Sequence, residues 1–157
     1  MIRVTIESPY AGDVDANVAY AKRCVLDSLR RGEAPYASHL FFTQSDLLDD
    51  TNPDERRLGI QAGLAWQRSS NVVAVYVDRG ISDGMRQGIA EAAARGAHIE
   101  VRALDREITR EDLGAVMTAA GEGRRDEDTR TSSDDSTGLT CIHGVFTRAS
   151  CAKCGDE

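Results

Sequence analysis

Apolar residues recur along the first 120 positions with two periods in turn. Ile2, Val4 and Ile6 alternate with polar residues and predict a strand that ends at Pro9. Val18, Ala21, Val25 and Leu29 keep helical spacing, and Gly32 supplies a stop signal. Tyr36 to Phe42 reads as a short second strand whose apolarity Ser38 and His39 interrupt. Asn52-Pro53 opens another helix, with the proline in the first turn and Leu58, Ala62 and Ala65 along one face. Val72 to Val77 is a continuous apolar run, as expected for a strand buried on both faces. Met85, Ile89 and Ala92 make the following helix, which closes near Gly96. Ile99 and Val101 give a fourth strand, and Leu113, Val116 and Met117 a last helix. Strands alternating with helices predict an α/β three-layer sandwich around a parallel sheet.

Composition divides the chain where this pattern stops. Residues 1–120 hold 18 acids and 14 bases and nearly all the large apolar side chains. Residues 122–137 (EGRRDEDTRTSSDDST) hold no large apolar residue, so nothing there offsets the entropy of ordering. The expected organisation is an α/β domain over 1–120, a flexible acidic linker over 121–137 and a small tail over 138–157. No internal repeat is visible. The formal net charge of −7 disfavours bulk nucleic acid, whose phosphates need clustered cations. No apolar run approaches the ~20 residues that span a bilayer, so no membrane association is expected. The first residues enter a strand pattern without a signal peptide's apolar stretch, so a cytoplasmic location is expected. In that reducing compartment, close-set cysteines serve as metal ligands more often than as disulfides.

The tail carries such a set. Cys141, His143, Cys151 and Cys154 form the pattern C-x-H-x7-C-x2-C, which suits a tetrahedral structural Zn2+ site. Leu139, Ile142, Val145 and Phe146 are too little apolar material to fold the tail without a metal or another staple. The alternatives are incidental cysteines in a disordered tail and a redox Cys-x-x-Cys pair. With all four ligands closed around the ion, the tail would serve as a docking module for a protein or nucleic-acid partner, or protect the terminus.

In open parallel sheets, ligands bind beyond the carboxyl ends of the strands. Two such ends have unusual residues. Glu7-Ser8-Pro9-Tyr10-Ala11-Gly12 leads from the first strand through a glycine-containing turn into a helix, where Ser8 and Gly12 could cradle an anion and Tyr10 offer a ring face. Asp78-Arg79-Gly80-Ile81-Ser82-Asp83-Gly84-Met85 follows the apolar strand. Ser82 is placed to cap the next helix, to hold a phosphate, or both, with Gly84 and Met85 on the same turn. Read without a ligand, both are ordinary strand-to-helix loops.

Ser8-Pro9-Tyr10-Ala11-Gly12, Asn17 with Tyr20-Ala21, Gly32-Glu33-Ala34-Pro35 and Gly80 to Met85 occur here in the order seen in a phage and actinobacterial family of unassigned function, which the chain resembles over roughly residues 1–105. That family is similar to the nucleoside 2-deoxyribosyltransferase-like superfamily, which also contains nucleoside 5′-monophosphate N-glycosidases. The resemblance implies a flavodoxin-like or Rossmann-like fold, a homo-oligomer, and a nucleoside or nucleotide pocket at the strand ends. It aligns Ser82 with a serine that holds the 5′ end and Gly84 with the glycine of a Ser-x-Gly-x-x-x-Glu motif. The nucleophilic glutamate of that motif falls on Gly88, and glycine cannot form a glycosyl ester.

Other carboxylates are candidates for the missing group. Glu91 lies one turn beyond Gly88, about 4.5 Å along the axis. Glu7 and Asp78 each end a strand, and Asp83 adjoins Ser82. Two carboxylates flanking a sugar can run an inverting hydrolysis through an activated water. His39 is either a ligand contact or a structural donor. Trp66 is expected in the core or a dimer interface rather than on a base, and Cys24 in the core. Glu55-Arg56-Arg57 reads as a solvated first turn, and Asp46, Asp49 and Asp50 as a polar loop without metal spacing. Two function classes follow. One is a nucleotide- or nucleoside-binding protein with or without action on the N-glycosidic bond, and the other is a non-enzymatic adaptor docking through its zinc tail.

Overall fold

The computed structural model describes residues 1–44 and 47–130, with side chains as far as residue 122. Four strands, β1 (Arg3–Glu7), β2 (Ala34–Tyr36), β3 (Val72–Tyr76) and β4 (His98–Arg102), form one parallel sheet in the order β2-β1-β3-β4. Five helices accompany them: α1 (Val14–Arg30), α2 (Ser38–Phe41), α3 (Pro53–Gln67), α4 (Asp83–Ala94) and α5 (Arg110–Arg130). Val4 pairs with Pro35 on one side and Val72 on the other, which sets the register of the central strands.

Alternation along the strands sorts the core into two layers. Val4, Ile6, Val72, Ala74 and Tyr76 face α1, where they meet Tyr20 and Cys24. Val73, Val75 and Val77 face the other way, onto Met85, Ile89 and Ala92 of α4 and Val116 and Ala119 of α5. The three-layer α/β sandwich expected from the pattern is the fold of the chain. Because Ile6 faces α1, the next residue, Glu7, must point to the α4 side. That parity sets up the site.

The helix boundaries have local causes. Asp13 accepts a hydrogen bond from the Ala16 N–H, Asn52 from Asp54 with Pro53 at the first helical position, and Ser82 from Met85. Gly32 and Gly96 follow α1 and α4 with φ of 79° and 68°, the left-handed conformation that ends a helix at least cost in a glycine.

Three details differ from the sequence reading. The second strand stops at Tyr36, because β2 pairs only with Arg3–Thr5 of β1, and Ser38–Phe41 turns into a helix instead. On α3 the inward positions are Gly63 and Gln67, while Leu58, Ala65 and Trp66 are exposed, Trp66 by 60%. Trp66 is therefore outside the core and rests beside Tyr36, ring centroids 5.7 Å apart. The last helix continues to Arg130, into the stretch read as linker. The remainder of that stretch and the tail, with Cys141, His143, Cys151 and Cys154, lie outside the described residues. Among the described residues no helix is long and apolar enough to cross a membrane.

Candidate functional site

The chain leaves β1 for β2 on one side and returns to β3 on the other. The carboxyl ends of β1 and β3 are thus a topological switch point, where open parallel sheets leave a crevice. A cavity of about 390 Å³ opens there. β1 contributes Glu7, followed by Ser8 and Tyr10. The first turn of α4 contributes Ser82 to Met85, and α2 contributes Ser38 and His39. The far wall belongs to α3 and the loop before it, through Leu48, Asp50, Arg56, Gly59, Ile60 and Gly63.

Glu7 occupies the floor. Its carboxyl group lies directly over Gly88 of α4: a Cβ built on that glycine would stand 2.6 Å from Glu7 Cδ and 2.8 Å from Oε2. Any side chain at position 88 would overlap the carboxylate. Gln67, at the end of α3, fixes it from the side. Its Nε2 donates to Glu7 Oε1 at 2.9 Å and to the Gly88 carbonyl at 3.1 Å, while Arg95 donates to the Gln67 carbonyl at 2.9 Å. One face of the carboxyl group meets the cavity and the rest is enclosed by protein. Burial pushes its pKa up to about 7, against the opposing pull of the Gln67 hydrogen bond. A carboxyl that changes charge near neutrality and lines a cavity is suited to acid–base or nucleophilic work.

The loop above is also held. His39 Nε2 lies 2.8 Å from Ser8 Oγ, and burial lowers the imidazole pKa to about 4, so the ring is neutral at physiological pH. The Tyr10 ring sits 6.4 Å from the His39 ring, centroid to centroid. Asn17 donates to the Tyr10 and Ala11 carbonyls at 3.1 and 2.9 Å, pinning the turn that Gly12 completes with φ of 95°. Gly63 lets α2 approach closely, since a Cβ there would come within 2.8 Å of Ser38 Cβ.

The structure brings together Glu7, Ser8, Tyr10, His39, Ser82, Gly84 and Met85 of the residues read from the sequence. Gly12 shapes the loop without lining the cavity. Two candidate carboxylates stand elsewhere. Asp78 accepts from Tyr20 Oη at 2.5 Å and from the Leu104 and Asp105 N–H groups at 3.0 and 2.8 Å. Burial would raise its pKa, but those hydrogen bonds outweigh it and hold the carboxyl below the usual range. Asp78 therefore ties the β4–α5 connection to β3 and does not reach the cavity. Glu91, a turn beyond Gly88, accepts from Arg68 at 2.6 and 2.9 Å outside the cavity.

The whole α3 wall escaped the sequence reading, as did Gln67. Its signal is present in retrospect. Gly59 and Gly63, like Gly84 and Gly88, stand four residues apart, clearing one face on each of two helices. Asp50 binds Arg56 in an ion pair on this wall, and Glu55 accepts from the Asp49 N–H at 2.7 Å and from Asn52 Nδ2 at 3.0 Å. Cys24 is buried under α1, where burial pushes its thiol up to about 12. Among the described residues no three His, Cys, Asp or Glu side chains gather as a metal site.

A parallel α/β domain with a largely apolar cavity at its switch point and, on the floor, a buried glutamate whose pKa is raised to about 7 defines the class. The chain belongs to the family described as a domain of unknown function, DUF7768, whose model matches residues 2–102. No curated protein matches it. Among solved structures it is similar to a 2-deoxyribosyltransferase from the psychrotolerant bacterium Bacillus psychrosaccharolyticus, with 11% identity, 72% of this chain and 81% of that chain covered, and a TM-score of 0.51. It is also similar to the CMP N-glycosidase BcmB of Clostridium botulinum, with 14% identity, 74% and 81% covered, and a TM-score of 0.40. The first likeness agrees with the fold derived above.

Proposed function

We propose that the cavity takes a nucleoside or nucleotide and that Glu7 acts on its N-glycosidic bond. The observation that carries this reading is the Glu7 carboxyl on the cavity floor, seated in the space that the missing side chain of Gly88 leaves free. The shared fold with a 2-deoxyribosyltransferase supports it, since that enzyme's name describes sugar transfer and its stated use is nucleoside synthesis.

Glu7 is the acid on the lining with neither a cationic partner nor a capping role and with most of its surface enclosed. As a carboxylate it would attack the anomeric carbon of a sugar lying over it. The new bond joins a Glu7 oxygen to C1′ while the C1′–N bond breaks; the electron pair leaves with the base, which takes a proton from water. Water then cleaves the glycosyl ester and releases the sugar, or a second base accepts it. Gln67 holds one carboxyl oxygen and leaves the other free to react. Ser8, Tyr10, Ser38 and Ser82 supply polar contacts, and Leu48, Ile60 and Leu64 an apolar wall for a base.

Incubation with the common ribo- and deoxyribonucleosides and their 5′-monophosphates, followed by chromatography, tests the reading. Free base should appear with wild-type protein and be absent with Glu7→Gln, while Glu7→Gln still binds the same compound in a thermal-shift assay. Absence of both binding and release across the panel would reject the function. Undiminished release by Glu7→Gln would reject the residue. For the tail, we propose that Cys141, His143, Cys151 and Cys154 hold one structural Zn2+, a reading supported by ligand type and spacing alone.

A further inference from the structure

Resting on the reading of the cavity as a nucleoside or nucleotide site, we infer that its substrate is a nucleoside without a 5′-phosphate. The charges on the lining carry this. Among the described residues, four acids line the cavity (Glu7, Asp50, Glu55 and Asp83) against one permanent cation, Arg56. The Arg56 guanidinium is already bound by Asp50. His39 adds no charge, because burial keeps its ring neutral and Ser8 holds one of its nitrogens.

The first turn of α4, another wall of the cavity, carries an acid and no unpaired cation. Ser82 Oγ accepts from the Met85 N–H at 3.4 Å and keeps its O–H to donate, while Asp83 sets a carboxylate against the positive end of the helix dipole. Arg86, the nearest cation on this helix, stands 3.9 Å from that same Asp83. On the Tyr10–Gly12 side, Arg79 donates to Asn17 Oδ1 at 3.0 Å and rests over the Tyr20 ring at 5.3 Å. A phosphate dianion entering here meets carboxylates ahead of any free guanidinium, and like charges brought together repel. A sugar hydroxyl meets the opposite situation. Asp83 and Glu7 accept hydrogen bonds, and Ser8, Ser38 and Tyr10 both donate and accept. The cavity therefore recognises the 5′ end as a hydroxyl.

Matched pairs test this: each deoxynucleoside and its own 5′-monophosphate, titrated into the full chain by calorimetry at low and at moderate ionic strength. The nucleosides are expected to bind at least about 100-fold more tightly than their monophosphates, a gap that shrinks as salt screens the acids. Asp83→Lys, a substitution at a fully exposed side chain, should narrow the gap by about tenfold. Equal or tighter binding of the monophosphate to wild type would overturn this inference while leaving the cavity's function standing. So would a gap that neither salt nor Asp83→Lys changes. Failure of every nucleoside and every nucleotide to bind would overturn the reading beneath it, and this inference with it.

Discussion

Replacing Glu7 by glutamine separates two properties that a single carboxylate confers here. Gln is close to Glu in size and still offers Oε1 to the Gln67 amide, so the contacts on the floor persist. What disappears is the ionisation. Burial raises the Glu7 pKa from its ordinary value of 4.5 to about 7 in the folded protein. Between those two values the folded state keeps a proton that the unfolded chain has released. Wild type therefore loses stability as pH rises from about 4.5 to about 7, and the loss is complete above that. A shift of this size corresponds to about 3 kcal/mol. Glu7→Gln carries no such penalty. At pH 8 it should exceed wild type by about 2–3 kcal/mol, or roughly 10 °C in Tm for a domain of this size. At pH 4.5 the two proteins should melt within a degree or two of each other. Scanning calorimetry of both proteins from pH 4.5 to 8 measures the difference directly, and base release measured alongside should vanish in the variant. A Tm difference independent of pH, or a variant less stable than wild type at pH 8, would refute the claim that Glu7 is held as a strained carboxylate.

Other substitutions probe the neighbours of that group. Gly88→Ala sets a Cβ against the Glu7 carboxyl, so it should displace Glu7, cost about 1–2 kcal/mol by denaturant unfolding and lower base release at least about tenfold. Asp78→Ala leaves the Leu104 and Asp105 N–H groups and the Tyr20 hydroxyl without their acceptor; it should lose about 2–3 kcal/mol of stability with little change in the KM of folded protein. Glu91→Gln removes only a partly exposed ion pair with Arg68, and should change stability by less than about 1 kcal/mol and leave turnover intact. Metal analysis of protein purified without added metal should find one zinc per chain, lost together with protection from alkylation when Cys151 is replaced by serine. A content well below one, with freely alkylated cysteines, would rule the site out.

Much of the architecture was legible because it rests on periodicity. The run from Val72 to Val77 announced a strand buried on both faces, and Ile2, Val4 and Ile6 set the parity that turns Glu7 toward α4. Gly32, Asn52-Pro53 and Ser82 marked helix ends that depend on neighbours a few residues away. The site was legible only in part, since partnership between side chains is tertiary. Asp78 and Glu7 look alike in sequence, each ending a strand, yet Asp78 is engaged by N–H groups 26 and 27 residues downstream while Glu7 meets a glycine. Likewise α3 misled because it walls a cavity. Its inner face carries Gly59, Gly63 and Gln67, so its apolar residues are not its buried ones.

The overlap between Glu7 and any side chain at position 88 also constrains how such a site can change over time. A carboxylate on the β1 end and one on α4 compete for the same space, so a sequence carrying both would be crowded and, under the proposed function, a sequence carrying neither would lack the reacting acid. Moving the acid from one element to the other cannot proceed by either single substitution without passing through one of those states. Positions 7 and 88 should therefore vary as a pair among relatives of this chain, with an acid at one and a glycine or similarly small residue beside it at the other.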